Sequence, residues 1–251
     1  MQNVFPSLES LVVSRMDALE TLWDKEATSG SFTKLKKVDI RHCKKLETVF
    51  PNYMLNRLTN LERLNVTDCS SVVEIFEVKV PVINGKQVAA IAANHLKELK
   101  LLRLPKLKHI WSTDPQRSLS YPSLQLVHTI HCQSLLNIFP VSIAKDLFQL
   151  EELKIQFCGV EEIVAKGGAE GDGDEYEDAS FVLSGLTSLS LWNLFEFKRF
   201  YPGKYTLDCP SLTLLDVRHC KSFKLMEGTS ESSTLSSALE KVFTFSNSYT
   251  V

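Results

Sequence analysis

The segment 32–50, FTKLKKVDIRHCKKLETVF, sets a spacing that the rest of the chain repeats, and such a repeat restricts the fold more tightly than composition can. From Leu35, apolar residues follow at Val38, Ile40, Cys43, Leu46 and Val49, with Phe50 directly after. The first three alternate with a period of two, so Val38 and Ile40 share one face of a strand. The later steps of three residues suit an irregular or 3-10-like return arm, and the Cys43 position turns the corner between the two. The same reading starts at Leu8, Leu61, Leu96, Leu124, Leu150, Leu186 and Leu212; the eight anchors, in chain order, are separated by 27, 26, 35, 28, 26, 36 and 26 residues. Three copies, from Leu8, Leu96 and Leu186, carry Met16, Leu104 and Leu194 in place of Cys at the corner, and two others depart from the pattern. The one from Leu124 carries Thr129 where an apolar strand residue belongs, and the one from Leu150 slips by one residue after Cys158, to Val160 and Ile163.

A period near 26 with an L-x-x-L-x-L-x-x-C core is the signature of the leucine-rich repeat. The expected fold is therefore an α/β-type repeat, a leucine-rich-repeat solenoid or horseshoe. Its parallel β-sheet lines the concave face, and short irregular or 3-10 arms line the convex face. Each copy offers about six inward apolar residues, at roughly 1.5–3 kcal/mol each when fully buried. No copy can bury that face alone, so stacking closes the core. The expected solenoid covers 1–228 in about eight repeats, with insertions near 77–92 and 165–180 and a Ser-rich tail at 229–251. In the first insertion Asn84-Gly85 reads as a hairpin turn. The second, AKGGAEGDGDEYEDA, reads as a solvated acidic loop, and Leu235–Phe243 in the tail as a turn or two of helix. The repeats begin within four residues of Met1 with no polar cap before them, which suggests a piece of a longer protein or one whose end a partner covers.

Composition excludes more than it selects. Lys+Arg 28 against Asp+Glu 30 gives a net charge of −2, with no general attraction for nucleic acid or an anionic membrane. The opening MQNVFPSLES lacks the features of a secretory signal, and no apolar run is long enough to span a membrane, so a soluble, cytoplasmic protein is expected, with nuclear or membrane-peripheral placement open. Five of the six cysteines, Cys43, Cys69, Cys132, Cys158 and Cys220, share the corner position and read as small buried hydrophobes, not disulfides. His42, His131 and His219 each precede a corner Cys, too far apart to share a metal, and neither C-x-x-C nor H-x₃₋₅-H spacing occurs. The acidic run from Glu170 to Asp178 lacks the glycine and closing glutamate of a calcium loop. G-x-S-x-G and H-E-x-x-H are also absent. No catalytic residue, metal or cofactor is expected.

The phrasing is more specific than the period. FPSLESL, YPSLQLV and CPSLTLL at repeat openings, with NVTDCSSVVEIF, IRHCKKLETVFP and LRLPKLKHIW around the corners, resemble the leucine-rich-repeat region of one protein class. That class is the plant intracellular disease-resistance proteins with coiled-coil, nucleotide-binding and leucine-rich-repeat parts. The resemblance implies a non-enzymatic recognition module of innate immunity and plant defence. Its partners would be a pathogen effector, a guarded host protein or the receptor's own nucleotide-binding domain. No G-x-x-x-x-G-K-[ST] occurs in this sequence, so nucleotide-driven switching has no seat in it. The alternative is the substrate-recognition arm of an F-box ubiquitin ligase, which uses cysteine-cornered repeats of similar period. Those repeats carry a clear helix after the corner, where this chain has short V-F-P or I-W arms.

The candidate protein-binding surface is the concave one, formed by strand residues between and after the inward positions. It comprises Asp39, Arg41, Asn65, Lys100, His128, Lys154, Gln156, Trp192, Asp216 and Arg218. Trp192, an aromatic set among polar neighbours, is the expected anchor.

Overall fold

The computed structural model describes residues 5–23, 25, 30–79, 82–83, 86–87, 92–115, 119–166 and 179–220. Asn84-Gly85, most of the acidic insertion, the Phe223 and Met226 positions and the Ser-rich tail lie outside the described residues. Eight strands, one per anchor, form a single sheet in chain order. They are β1 (Ser10–Ser14), β2 (Lys37–Arg41), β3 (Arg63–Thr67), β4 (Glu98–Leu102), β5 (Leu126–Ile130), β6 (Glu152–Gln156), β7 (Ser188–Trp192) and β8 (Leu214–Arg218). Every pairing is parallel and in frame, Leu11 on Val38, Val38 on Leu64, and so on to Leu189 on Leu215. The period of two then puts one set of side chains into the core and the other onto the open face.

The inward set is sealed. Leu35, Ile40, Cys43, Leu46 and Val49 are fully buried, as are Leu61, Val66, Cys69, Val72 and Ile75 one repeat on. Leu8, Leu11, Val13, Leu212, Leu215 and Val217 are only half-buried, because each outermost strand has a neighbour on one side alone. All six cysteines are free thiols. At the corner each thiol donates to the last carbonyl of its own strand, Cys69 to Thr67 at 3.4 Å and Cys158 to Gln156 at 3.2 Å. Cys158 and Cys220 also reach the carbonyls of Thr129 and Leu191 in the strand before. Burial pushes the Cys69 thiol up to about 11 and the Cys209 thiol to about 12. Thr129 is fully buried on the inward face of β5, where among the described residues its hydroxyl meets no nitrogen or oxygen, only the Cys158 sulfur beside it.

The backbone turns out of each strand in one way. The residue before the corner adopts a left-handed conformation in all eight copies: Arg15, His42, Asp68, Arg103, His131, Phe157, Asn193 and His219, with φ between 52° and 58°. None is glycine, so each carries the strain of a Cβ in that region. The geometry recurs because it continues the ladder. The N–H of His42 donates to the carbonyl of Thr67 in the next strand at 3.0 Å, that of Arg103 to Ile130 at 2.8 Å, and that of Phe157 to Trp192 at 3.0 Å.

The return arms are more regular than the expected irregular or 3-10 backbone. Thr48–Phe50, Glu74–Phe76 and His109–Trp111 are three-residue strands forming a parallel ribbon, and Asn137–Phe139 pairs with Glu162–Val164. An arm buried on both sides must pair its backbone polar groups, and Val, Ile and aromatic residues favour the extended form. After Phe50 and Phe139, the prolines Pro51 and Pro140 open one-turn helices, α1 (Asn52–Leu55) and α2 (Val141–Ala144), a feature the sequence reading did not foresee. The longer copies use extra parallel pairs instead, Ala92–Ala93 on Leu119–Ser120 and Ala179–Val182 on Tyr205–Asp208. Val82–Ile83 and Lys86–Gln87 pair antiparallel. Behind the arms runs a column of rings, Trp23, Phe50, Phe76, Trp111 and Phe139, with successive centroids 5.4 to 6.0 Å apart. Val164 ends it, and Phe181, Phe200, Tyr201 and Tyr205 form a second aromatic cluster beyond.

Candidate protein-binding face

The in-frame sheet converts sequence positions into rows on the open face. One row holds Val12, Asp39, Asn65, Lys100, His128, Lys154, Ser190 and Asp216. The next holds Ser14, Arg41, Thr67, Leu102, Ile130, Gln156, Trp192 and Arg218. All ten candidate residues occupy these two rows, and they gather into three groups along the sheet.

At the N-terminal end Arg41 forks onto Asp39, with Nε 2.7 Å from Oδ1. Asn65 Nδ2 donates to the same Oδ1 at 3.2 Å, and Thr67 Oγ1 donates to Asn65 Oδ1. At the C-terminal end Arg218 makes the same two-residue fork with Asp216, at 2.7 and 3.0 Å. Its guanidinium also lies 4.4 Å from the centre of the Trp192 ring, a cation–π contact. The Trp192 Nε1–H is shut off from solvent and meets no acceptor among the described residues.

The central group is where sequence reasoning fell short. Lys100, His128 and Lys154 are held by carboxylates from a third row, Ser10, Lys37, Arg63, Glu98, Leu126, Glu152, Ser188 and Leu214, which lies outside the candidate surface. Glu98 binds Lys100 at 3.4 Å and Arg63 at 3.0 Å. Glu152 lies 2.9 Å from the Lys154 ammonium and 3.0 Å from His128 Nε2. Burial pushes His128 below its ordinary value, and Glu152 only partly offsets this. Burial raises the Glu152 carboxyl, but the Lys154 hydrogen bond and the neighbouring His128 outweigh it and hold the group below the usual range. The missing signal was the residue two beyond each anchor, which period-two alternation also places on the open face.

A fourth row is the left-handed corner set. Arg103 donates two hydrogen bonds to Asp68, at 2.5 and 2.7 Å, which lower the Asp68 carboxyl. His42 approaches the same acid at 3.8 Å. The rings of His131 and Phe157 stack at 4.5 Å. The three histidines thus stand on the rim while the adjacent cysteines face inward. Among the described residues no group of three His, Cys, Asp or Glu lies close enough to hold a metal ion. No described helix is long and apolar enough to cross a membrane.

An in-frame parallel sheet with thiol-lined corners and short return arms defines a leucine-rich-repeat solenoid. The family described as plant disease resistance protein RPS2-like, leucine-rich repeats, matches residues 7–159, more than half of the 251, and the chain belongs to it. Among curated proteins and among solved structures, none matches.

Proposed function

We propose that this chain is the non-enzymatic recognition part of a plant immune receptor and that it binds a protein partner along its open sheet face. The partner is a pathogen effector, a guarded host protein or the receptor's own nucleotide-binding domain, and the encounter takes place in the cytoplasm. The observation that carries the reading is the pair Trp192 and Arg218. A large ring and a guanidinium in cation–π contact at the C-terminal end of the open face form the combination most enriched among residues that dominate interface energetics. Family membership supports the immune context. The rigid row of Asp39, Asn65, Lys100, His128, Lys154 and Asp216 would set specificity around that anchor.

The test is affinity capture from leaves challenged with a pathogen, comparing the native chain with Trp192→Ala and Arg218→Glu. Both variants alter exposed or half-exposed side chains and keep the core. Loss of the same captured protein by both supports the reading. Unchanged capture by both overturns the proposed face.

A further inference from the structure

The rows of the open face differ in charge balance. The two rows farther from the corner set Lys37, Arg63, Lys100 and Lys154 against Asp39, Glu98, Glu152 and Asp216, with no net charge. The last strand row and the corner row together hold Arg15, Arg41, Arg103 and Arg218, three histidines, and a single acid, Asp68. A chain whose net charge is −2 therefore concentrates three positive charges on one rim of its sheet. Every cation on that rim is arginine, whose planar fork suits carboxylates better than a lysine ammonium does. The forks are already demonstrated on the chain's own acids at Arg41, Arg103 and Arg218. Solvent-exposed pairs of this kind contribute little and exchange readily.

The rim is also ordered along its length. Arginines stand at the corner after β1 (Arg15), on β2 (Arg41) and at the corner after β4 (Arg103), and Arg218 closes the far end on β8. Between them stand Leu102, Ile130, Phe157 and Trp192, one apolar side chain on each strand or corner from β4 to β7. Phe157 is 40% exposed although it stacks on His131. Eight strands at about 4.8 Å span about 34 Å, the length of about ten extended residues.

We infer that this rim binds an extended acidic peptide of a partner protein, with carboxylates at both ends and aliphatic or aromatic residues in the middle. The inference rests on the recognition reading above and names the chemistry of the partner. The carboxylates displace Asp68, Asp39 and Asp216 from the arginine forks, and the central side chains pack on Phe157, Ile130 and Leu102. Charge complementarity selects such a segment over a basic or neutral one.

The experiment uses the full chain and a fluorescein-labelled twelve-residue peptide with glutamates at both ends and a Leu-Phe-Leu centre. Controls are a scrambled peptide with central glutamates, a lysine-for-glutamate peptide, and a single-stranded RNA dodecamer. Fluorescence anisotropy should show binding of the first peptide at least tenfold tighter than of any control, weakening with salt. Arg15→Gln with Arg103→Gln should weaken it about tenfold, and Phe157→Ser should weaken it at any salt concentration. Equal binding of the scrambled peptide or the RNA would make the rim an unspecific polyanion surface and overturn the inference, as would no binding at all. If peptide binding fails while Trp192→Ala still abolishes capture of the leaf partner, the rim inference alone falls and the recognition reading stands.

Discussion

Gly159 offers the sharpest test of how the repeats stack. The one-residue slip after Cys158 shortens that corner and draws its backbone against the preceding repeat, where the Gly159 N–H donates to the Cys132 carbonyl at 3.3 Å. A Cβ at this position would stand 2.1 Å from the Gln133 carbonyl oxygen. An ordinary carbon–oxygen contact needs about 3.3 Å, so the two backbones must part by about 1.2 Å. Overpacking of this kind costs about 1–3 kcal/mol, and weakening the hydrogen bond adds about 1 kcal/mol. Gly159→Ala is expected to destabilise the chain by about 3 kcal/mol, lowering Tm by about 6–12 °C for a protein of this size. Gly185→Ala is the graded control. Its Cβ would lie 2.8 Å from the Phe148 oxygen, an encroachment of about 0.5 Å and a cost near 1 kcal/mol. Urea and thermal melts followed by circular dichroism would measure both. Alanine in place of glycine stabilises by up to about 1 kcal/mol through the unfolded chain where nothing clashes. A Gly159→Ala protein as stable as the native one would therefore refute the close approach.

Thr129→Val replaces a buried hydroxyl, which has no nitrogen or oxygen partner among the described residues, by a methyl of the same shape. The variant should gain about 1 kcal/mol and raise Tm by about 2–4 °C in the same melts. His42→Val forces a β-branched residue to φ 54° and should cost about 1–2 kcal/mol, while His42→Gly should stay within about 0.5 kcal/mol of native. For His128, burial lowers the folded value below the ordinary histidine 6.5. Between the two values the unfolded chain binds the extra proton, so this group's contribution is full above pH 6.5 and is lost as pH falls through that window. Urea midpoints should drop on acidification below pH 6.5 and drop less in His128→Gln; an unchanged slope would place the titrating group elsewhere.

The anchors leucine by leucine made the strands legible, because each needs only a period-two alternation on a fixed spacing. Val38 and Ile40, or Leu153 and Ile155, could hardly face anywhere else. The corner conformation was hidden because the usual sign, a glycine, is absent. Arg15, Arg103 and Phe157 take up a left-handed backbone only because the neighbouring strand's carbonyl awaits the N–H. The extended arms escaped notice for a similar reason, since steps of three residues also fit a tight helix, and the pairing of Thr48–Phe50 with Glu74–Phe76 decides between them. On the open face, ten residues were placed on their rows from sequence. The same period of two also puts Glu98 and Glu152 on that face, but their pairing with Arg63 and His128 crosses between strands and needs the register to be seen.

The left-handed corner separates two burdens that most surface residues carry together. Its amide is committed to holding adjacent ribs in line, while its side chain stays out of the core, exposed or half-exposed on the rim. Histidine, arginine, aspartate, phenylalanine and asparagine all fill that slot along this one chain. A row built this way can be rewritten one residue at a time, changing what the rim attracts while the scaffold keeps its shape.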